Sequence, residues 1–427
     1  MTDIFWFAAR KLLIGLPPDF PSSYTELTLH GVASLFCRLG LRPNSFNRKA
    51  PLLVANLMSV LHYVTYKNDA YISGYVSEPI LTFGASYMWY ELEDLKRPSA
   101  LERYILPQFR TMLFNGEINT SNIGEPVSRI FLLLAMDAVA KASSKAWVFA
   151  FSGRFCDVPR FVEKLVGDNP QIREGNSEII NEEKMDAYRK WVESWDGWQV
   201  CFSHFVDLKK EPTTGVLWKL LDRRAASVLP REQLGADLII PIFHPKDRDV
   251  HPEGSVSFIL VRVNSQVGGD DEFPDSALRE LSPSYVFEKT DKPNSVHTTS
   301  NHEAIRLYLS LFEVSNETTA PAQSIVTEKL MSRNKVKQGF DGSLCVRGVL
   351  APNSDEGKNE LHQRWPFLTK GLVGKLREIA NTAWWDGQTQ VENDLKDRSE
   401  HDERNYLSSV LFKDVARVRA SNTLHFA

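Results

Sequence analysis

Two runs in the middle of the chain are apolar almost throughout. Residues 236–243 (ADLIIPIF) and 255–264 (SVSFILVRVN) are rich in β-branched side chains and are separated by a polar loop over 244–254. Continuous apolar runs of this length are typical of central strands that are covered on both faces. The pattern therefore predicts two neighbouring strands in the interior of a sheet.

Longer segments with helical periodicity surround these strands. Several begin with a proline or with an acidic residue in the predicted first turn, and both are start signals for a helix. Helices are predicted over residues 52–66, 80–92, 127–142, 161–166, 215–228, 302–311, 368–383 and 407–418. A short strand is predicted at 343–349 and a polar loop at 168–187.

The order of these elements predicts an α/β or α+β fold, in which a mixed central sheet is flanked by helices. The chain has 427 residues, which is enough for two to four structural units. We predict an N-terminal helical region over 1–115, a core over 116–350 and a helical C-terminal extension over 351–427.

The charge balance limits where nucleic acid could bind. Fifty basic residues stand against 54 acidic ones, so the net charge is −4 and no chain-wide basic field is expected. A local patch is needed, and Lys219, Arg223 and Arg224 supply one on or near the polar side of the predicted helix 215–228. The alternative interpretation of these residues is an ordinary solvated helix face.

The beginning of the sequence bears on the compartment. Residues 4–14 (IFWFAARKLLI) carry their positive charges inside the apolar stretch, whereas a secretory signal carries them before it. We predict an amphipathic helix here and no signal peptide. No apolar run reaches the length of a membrane span, and the four cysteines lie far apart. We expect an intracellular protein without a membrane span, with the nucleus as one candidate compartment.

The candidate chemistry centres on Asp237, a carboxylate within an apolar strand. Burying it is costly unless it has a partner or a metal. On the second strand, the period of two places Arg262 and Asn264 on one face at one end, where Asp237 could lie alongside. Glu125 precedes the predicted helix 127–142. An Asp237–Arg262 salt bridge without catalytic meaning is the alternative, because ion pairs readily imitate active sites.

Four short motifs carry a resemblance to a known family. They are residues 124–129 (GEPVSR), 202–205 (FSHF), 235–242 (GADLIIPI) and 257–263 (SFILVRV). Together they resemble the PD-(D/E)XK, or restriction-endonuclease-like, nuclease fold. More narrowly, they are similar to the domain of Crinkler and retrotransposon-hot-spot (RHS) effector proteins and their fungal relatives. The resemblance spans roughly residues 75–350.

The resemblance implies a site and also a departure from it. In such nucleases two acids hold Mg²⁺, which activates water for phosphodiester cleavage, and a lysine stabilises the transition state. Glu125 and Asp237 match the acidic positions, and they would be both catalytic residues and metal ligands. Arg262 and Asn264 stand where an acid or glutamine and the lysine are expected. We therefore expect an effector-associated or mobile-element-associated pseudonuclease, directed at DNA or RNA, with impaired or lost activity.

Two other functions fit the same sequence. The first is an active Mg²⁺-dependent nuclease that uses a relocated lysine such as Lys246. The second is an effector in which the fold is only a scaffold and the N-terminal helical region binds a protein partner. The sequence alone leaves open whether the protein is an enzyme. Mg²⁺ is implied only if it is active.

Overall fold

The structure is a computed structural model, and part of the chain is described in it. The described residues are 8, 24–43, 60–64, 71–74, 79–90, 99–119, 124–142, 153–167, 171–174, 177–178, 182–208, 212–230, 235–245, 255–264, 280–281, 304–312, 324–326, 343–350 and 365–381. The chain divides into two compact units, Met1–Ala380 and Asn381–Ala427. All described residues but the last belong to the first unit.

The helices are as follows within the described residues: α1 (Tyr24–Leu39), α2 (Pro79–Tyr90), α3 (Leu106–Phe114), α4 (Gly124–Ala142), α5 (Val158–Val166), α6 (Glu182–Glu193), α7 (Thr214–Asp222) and α8 (Lys370–Asn381). A π-helical segment, Leu101–Ile105, leads directly into α3. None of these helices is long and apolar enough to cross a membrane.

The strands of the described residues are β1 (Arg42–Pro43), β2 (Val60–Val64), β3 (Tyr71–Gly74), β4 (Ile118–Asn119), β5 (Cys156–Asp157), β6 (Gln171–Glu174), β7 (Ser177–Glu178), β8 (Gln199–Val200), β9 (His204–Asp207), β10 (Ala225–Val228), β11 (Leu238–Phe243), β12 (Val256–Asn264), β13 (Ile305–Ser310), β14 (Ser324–Val326) and β15 (Ser343–Arg347).

Most strands belong to one mixed sheet. Its order is β5-β8-β11-β12-β13-β15-β14-β6-β7, and β10 joins it by pairing with both β11 and β9. At its centre β11 and β12 are antiparallel, whereas β12, β13 and β15 run parallel to one another. The small pairs β1–β4 and β2–β3 lie outside it. The fold is therefore α+β with a mixed sheet, which agrees with the predicted class at this level.

Helices cover both faces of this sheet, and the side chains of β11 and β12 alternate between them. One face packs in a core with α4 and α5 through Leu238, Ile240, Ile242, Ile259 and Val261. The other packs in a core with α7 through Ile239, Phe243, Val256, Phe258 and Leu260. Each side chain of this kind contributes about 1.5–3 kcal/mol when fully buried. Burial on both faces explains why both strands are apolar almost throughout.

Several sequence predictions are confirmed. The two central strands are β11 and β12, and they are adjacent in the sheet. The helices predicted over 80–92, 127–142, 161–166 and 368–383 correspond to α2, α4, α5 and α8. The strand predicted at 343–349 is β15. The unit boundaries predicted at residues 115 and 350 stay predictions.

Two predicted helices are wrong, and both contain strands. The segment 52–66 includes β2, and the segment 302–311 includes β13, whose side chains are all buried. Short apolar runs do not distinguish a buried strand from a buried helix by periodicity. β13 lies between β12 and β15, so it is covered on all sides and has no polar face to reveal its period of two.

Two further segments differ in part from the prediction. The predicted loop 168–187 contains β6, β7 and the beginning of α6. The helix predicted over 215–228 ends at Asp222, and β10 follows after a turn in which Arg224 has a positive φ of 52°. The small residues of β10 pair in parallel with β9, and this pairing outweighs their helical propensity. The helices predicted over 4–14 (except Ala8) and over 407–418 lie outside the described residues.

Candidate functional site

Asp237 lies at the end of the central hairpin, immediately before β11. Its backbone N–H donates to the Val261 carbonyl oxygen at 2.8 Å, and its carbonyl oxygen accepts from the Leu229 N–H at 2.9 Å. Its carboxylate Oδ2 accepts from the backbone N–H of Val263 at 2.6 Å. The side chain therefore bonds to a backbone amide of β12 and holds the acid at one fixed place.

The surroundings of Asp237 act on its ionisation in opposite directions. Burial is the largest effect and raises the pKa of the carboxyl group. The Val263 N–H and the positive charges of Arg262 and Arg129 lower the pKa in part, but the net direction is upward. Asp237 is thus a largely buried carboxylate within electrostatic range of two guanidinium groups.

Arg262 and Asn264 lie at the matching end of β12. The ladder ends with the pairing of Leu238 and Val261, and beyond it Asp237 bonds to the backbone of Val261 and Val263, on either side of Arg262. The Arg262 guanidinium forms its ion pair with Glu280, however, and these side chains are 34% and 37% exposed. The Asp237–Arg262 salt bridge considered from the sequence is therefore replaced by an Arg262–Glu280 pair. The Asn264 side chain hydrogen-bonds to Tyr308 on β13.

Glu125 lies in the first turn of α4. Its Oε2 accepts a hydrogen bond from Nη2 of Arg129, one helical turn later, at 3.0 Å. The Glu125 side chain is 23% exposed, so the carboxylate stays in contact with solvent. This acid is therefore tied to its own helix by an i, i+4 ion pair.

Arg129 is a candidate site residue that the sequence analysis did not single out. Its side chain is only 5% exposed, and its Nη1 donates to the carbonyl oxygen of Leu39 at 2.8 Å. Burial is the largest effect on its pKa and lowers it. The carboxylates of Glu125, Asp207 and Asp237 counteract this effect. Arg129 thus bonds to Glu125 and to the end of α1, and it lies within electrostatic range of the acids at the ends of β9 and β11. The sequence signal that could have identified Arg129 is a charged residue on the apolar side of the predicted helix 127–142.

The four predicted site residues approach one end of the sheet from two sides. Glu125 comes from α4, which packs on one face, and both it and Asp237 attract the Arg129 guanidinium. Arg262 and Asn264 continue the alternation of Phe258 and Leu260 and lie on the face that α7 covers. Asp237 lies within electrostatic range of both Arg129 and Arg262. The structure therefore places a network of alternating charges here.

The predicted nucleic-acid-binding residues belong to the end of α7 and the turn after it. Lys219 and Arg223 are exposed and lie one helical turn apart. Arg224 is engaged within the protein, because its Nε donates to the Gly153 carbonyl oxygen at 2.9 Å and its guanidinium lies 3.9 Å from the Phe155 ring centre. Only Lys219 and Arg223 therefore present their charges outward.

The distance between this basic pair and Asp237 follows from β10. The strand begins at Ala225, two residues after Arg223, and ends at Val228, which pairs with Leu238. At about 3.3 Å per residue the basic pair is on the order of 10–15 Å from Asp237. Lys219, Arg223 and Arg262 nevertheless lie on the same side of the sheet, the side of α7.

The residues of this site do not fit the Mg²⁺ ion that the resemblance implies. The cation among the carboxylates is the buried Arg129, and Arg262 stands where an oxygen ligand is expected. In the described part of the chain, no three His, Cys, Asp or Glu side chains form a group that could hold a metal ion. Lys246, the candidate for a relocated lysine, lies outside the described residues.

The fold and site define an α+β protein with a charge network at one end of a mixed sheet. Comparison with family models matches residues 161–339 to a domain of unknown function, DUF8736. This range includes Asp237, Arg262 and Asn264, whereas Glu125 and Arg129 precede it. Comparisons with curated proteins and with solved structures give no match.

Proposed function

We propose that this chain binds nucleic acid through a restriction-endonuclease-like core that has lost its catalytic centre. One observation supports the proposal most. Asp237 immediately precedes a central strand and lies within electrostatic range of Arg262 and of Arg129, whose guanidinium is paired with the Glu125 carboxylate of α4. The acids of the resembling nucleases are retained in this arrangement, while the cations around them are protein side chains.

The same arrangement argues against phosphodiester cleavage. A guanidinium at position 262 cannot ligate a metal ion, and it is paired with Glu280. Asn264 is a neutral amide that hydrogen-bonds to Tyr308, so it offers no ammonium group to a developing negative charge. Loss of one preorganised electrostatic donor typically lowers kcat by about 10²–10³. We therefore propose binding without turnover.

The side of the sheet covered by α7 is the proposed nucleic-acid surface. It carries the exposed Lys219 and Arg223 and, at the other end, the one-third exposed Arg262. The basic pair is on the order of 10–15 Å from Asp237 along β10, given about 3.3 Å per residue of strand. Contacts of lysine and arginine with phosphates give affinity that depends on salt rather than on sequence.

Fluorescence anisotropy with labelled DNA and RNA tests this proposal. We expect the affinity of the wild type to fall steeply between about 50 and 200 mM salt, because bound phosphates release counterions. Lys219→Glu combined with Arg223→Glu should weaken binding and reduce the slope of log K against log salt by about 2.

The matched control makes the same charge change on another exposed helix. Arg189 and Lys190 are exposed on α6, so Arg189→Glu combined with Lys190→Glu should leave binding unchanged. Binding that is insensitive to salt, or an equal loss in both double variants, would contradict the proposal. A folded wild type that binds neither DNA nor RNA would contradict it as well.

A further inference from the structure

The environment of Arg129 is unusual for an arginine with a purely structural role. Its Nε is buried and has no hydrogen-bond partner among the described residues. Its other two nitrogens each donate to an oxygen, Nη2 to the Glu125 Oε2 at 3.0 Å and Nη1 to the Leu39 carbonyl oxygen at 2.8 Å. The guanidinium is therefore only partly hydrogen-bonded, in a place where an unmade bond is costly.

The charges around Arg129 come from three separate elements. Glu125 lies on α4, Asp207 ends β9, and Asp237 precedes β11, and all three carboxylates attract the guanidinium. Asp207 also has an outer partner, because its Oδ2 lies 3.1 Å from Nη2 of Arg42. Arg129 is thus a buried cation within electrostatic range of acids from three elements.

The end of α1 completes this environment. Leu39 is the last residue of α1, and carbonyl groups at a helix C-terminus carry partial negative charge. Gly40 follows with a φ of +66°, and a Cβ there would lie 2.6 Å from the Phe205 carbonyl oxygen. Only glycine allows α1 to end this close to β9. The chain therefore directs the Leu39 carbonyl, like the carboxylates, towards one internal cation.

We infer that Arg129 is the resident cation of this site and occupies the place that a divalent metal ion would take between Glu125, Asp237 and the Leu39 carbonyl. Carboxylate and carbonyl oxygens are the ligands that Mg²⁺ and Mn²⁺ use in proteins. The guanidinium engages two of these groups directly and supplies the positive charge. Arg129 is accordingly a positioning residue, and its presence excludes a metal ion from the site.

The inference deepens the proposed function and rests on it only for the identity of the site. It predicts a latent metal site, which removal of Arg129 should open. Mn²⁺ alone is the probe, and the free ion is followed by its electron paramagnetic resonance signal. Arg129→Met keeps most of the side-chain volume without the charge. Its affinity for Mn²⁺ should rise by about tenfold or more over the wild type, because a unit charge has left the binding place.

Two matched variants show where the gain comes from. Arg129→Lys keeps a cation at this position and should bind Mn²⁺ no better than the wild type. Arg129→Met combined with Glu125→Gln removes one of the proposed ligands and should lose the gain. A second readout is the melting temperature, which Mn²⁺ should raise in Arg129→Met and leave unchanged in the wild type.

Two results would overturn the inference. One is a cooperatively folded Arg129→Met protein with the wild-type affinity for Mn²⁺. The other is wild-type Mn²⁺ binding that Glu125→Gln abolishes. If Arg129→Met does not fold, Arg129→Gln, which keeps a planar polar group without the charge, replaces it in the Mn²⁺ titration with the same expected gain in affinity. The titration contains no nucleic acid, so failure of the proposed nucleic-acid binding would be seen separately in the anisotropy assay.

Discussion

Arg38 and Arg129 are both buried, and Arg129 bonds to the carbonyl group of Leu39, the residue after Arg38, but the two arginines have different surroundings. Arg38 on α1 is fully buried, and its Nη1 and Nη2 donate to the two carboxylate oxygens of Asp137 at 2.8 and 2.9 Å. Its Nε donates to the Ser203 carbonyl oxygen at 3.0 Å, and its guanidinium lies 4.0 Å from the Trp89 ring centre. Arg129 has one carboxylate contact, one carbonyl contact and an unpaired Nε among the described residues.

The two arginines differ in how completely their charges are matched. The two charges of the Arg38–Asp137 pair are matched one to one, and Asp137 also accepts from the Tyr90 hydroxyl at 3.0 Å. Arg129 lies within electrostatic range of three carboxylates from elements far apart in sequence, and hydrogen-bonds to only one of them, Glu125. A complete network fixes the packing of helices, whereas an incomplete one leaves room for a ligand or marks where one has been replaced.

The largest effect is expected when the complete pair is broken. Asp137→Ala leaves the Arg38 charge buried without its carboxylate and should cost about 3–5 kcal/mol of unfolding free energy. The double variant Arg38→Met with Asp137→Leu should lose less, because no uncompensated charge remains. Urea denaturation measures both values. If Asp137→Ala lost no more unfolding free energy than the double variant, Arg38 and Asp137 would not form a structural ion pair.

His204 belongs to the same region and should give it a pH dependence. Burial, together with the positive charges of Arg38 and Arg223, lowers the pKa of its imidazole to about 3. The unfolded chain takes up this proton below about pH 6.5, whereas the folded protein does not, so stability falls with pH in this range. The contribution of His204 should amount to about 2 kcal/mol between about pH 6 and pH 4.

The comparison of wild type with His204→Gln isolates this contribution. The unfolding free energy of the wild type minus that of the variant should become smaller as the pH falls through this window. The reason is that glutamine has no imidazole to take up a proton in the unfolded chain. Chemical denaturation at several pH values provides the measurement. A difference that does not change with pH would show that His204 is not held neutral in the folded protein.

Breaking the incomplete network should cost less. Arg129→Met removes two hydrogen bonds, but it also removes a buried, partly unpaired guanidinium, and Glu125 remains in contact with water. We expect a loss of about 1–2 kcal/mol, clearly below that of Asp137→Ala. Urea denaturation of the two variants side by side is the test. Equal losses would remove the distinction between the two arginines.

The smallest effect, and one of opposite sign, is expected for Asp237→Asn. Burial raises the pKa of Asp237, so the folded protein favours the protonated carboxyl group, and ionising this group costs stability. This cost develops as the pH rises above the usual aspartate pKa of about 3.9. An asparagine oxygen can still accept from the Val263 N–H. The melting temperature of Asp237→Asn relative to the wild type should therefore increase from acidic to neutral pH, and a decrease would contradict the account.

The sequence predicted the parts of the site that follow from local patterns of apolar and polar residues along a strand. Strand alternation placed Arg262 and Asn264 on one face, and the continuous apolar runs identified β11 and β12. Arg129 could not be found in this way, because its carboxylates at positions 207 and 237 are brought near it only by the packing of α4, β9 and β11. The Arg262–Glu280 pair likewise depends on a segment whose position no local pattern fixes.

The most direct test of the central claim is an incubation of the wild type with labelled DNA and RNA in Mg²⁺ and in Mn²⁺, beside Asp237→Ala. The acids and cations described above predict that the nucleic acid is bound by the wild type and remains intact with both proteins. Cleavage by the wild type that disappears in Asp237→Ala would contradict the account, because it would show that this carboxylate still serves an active nuclease.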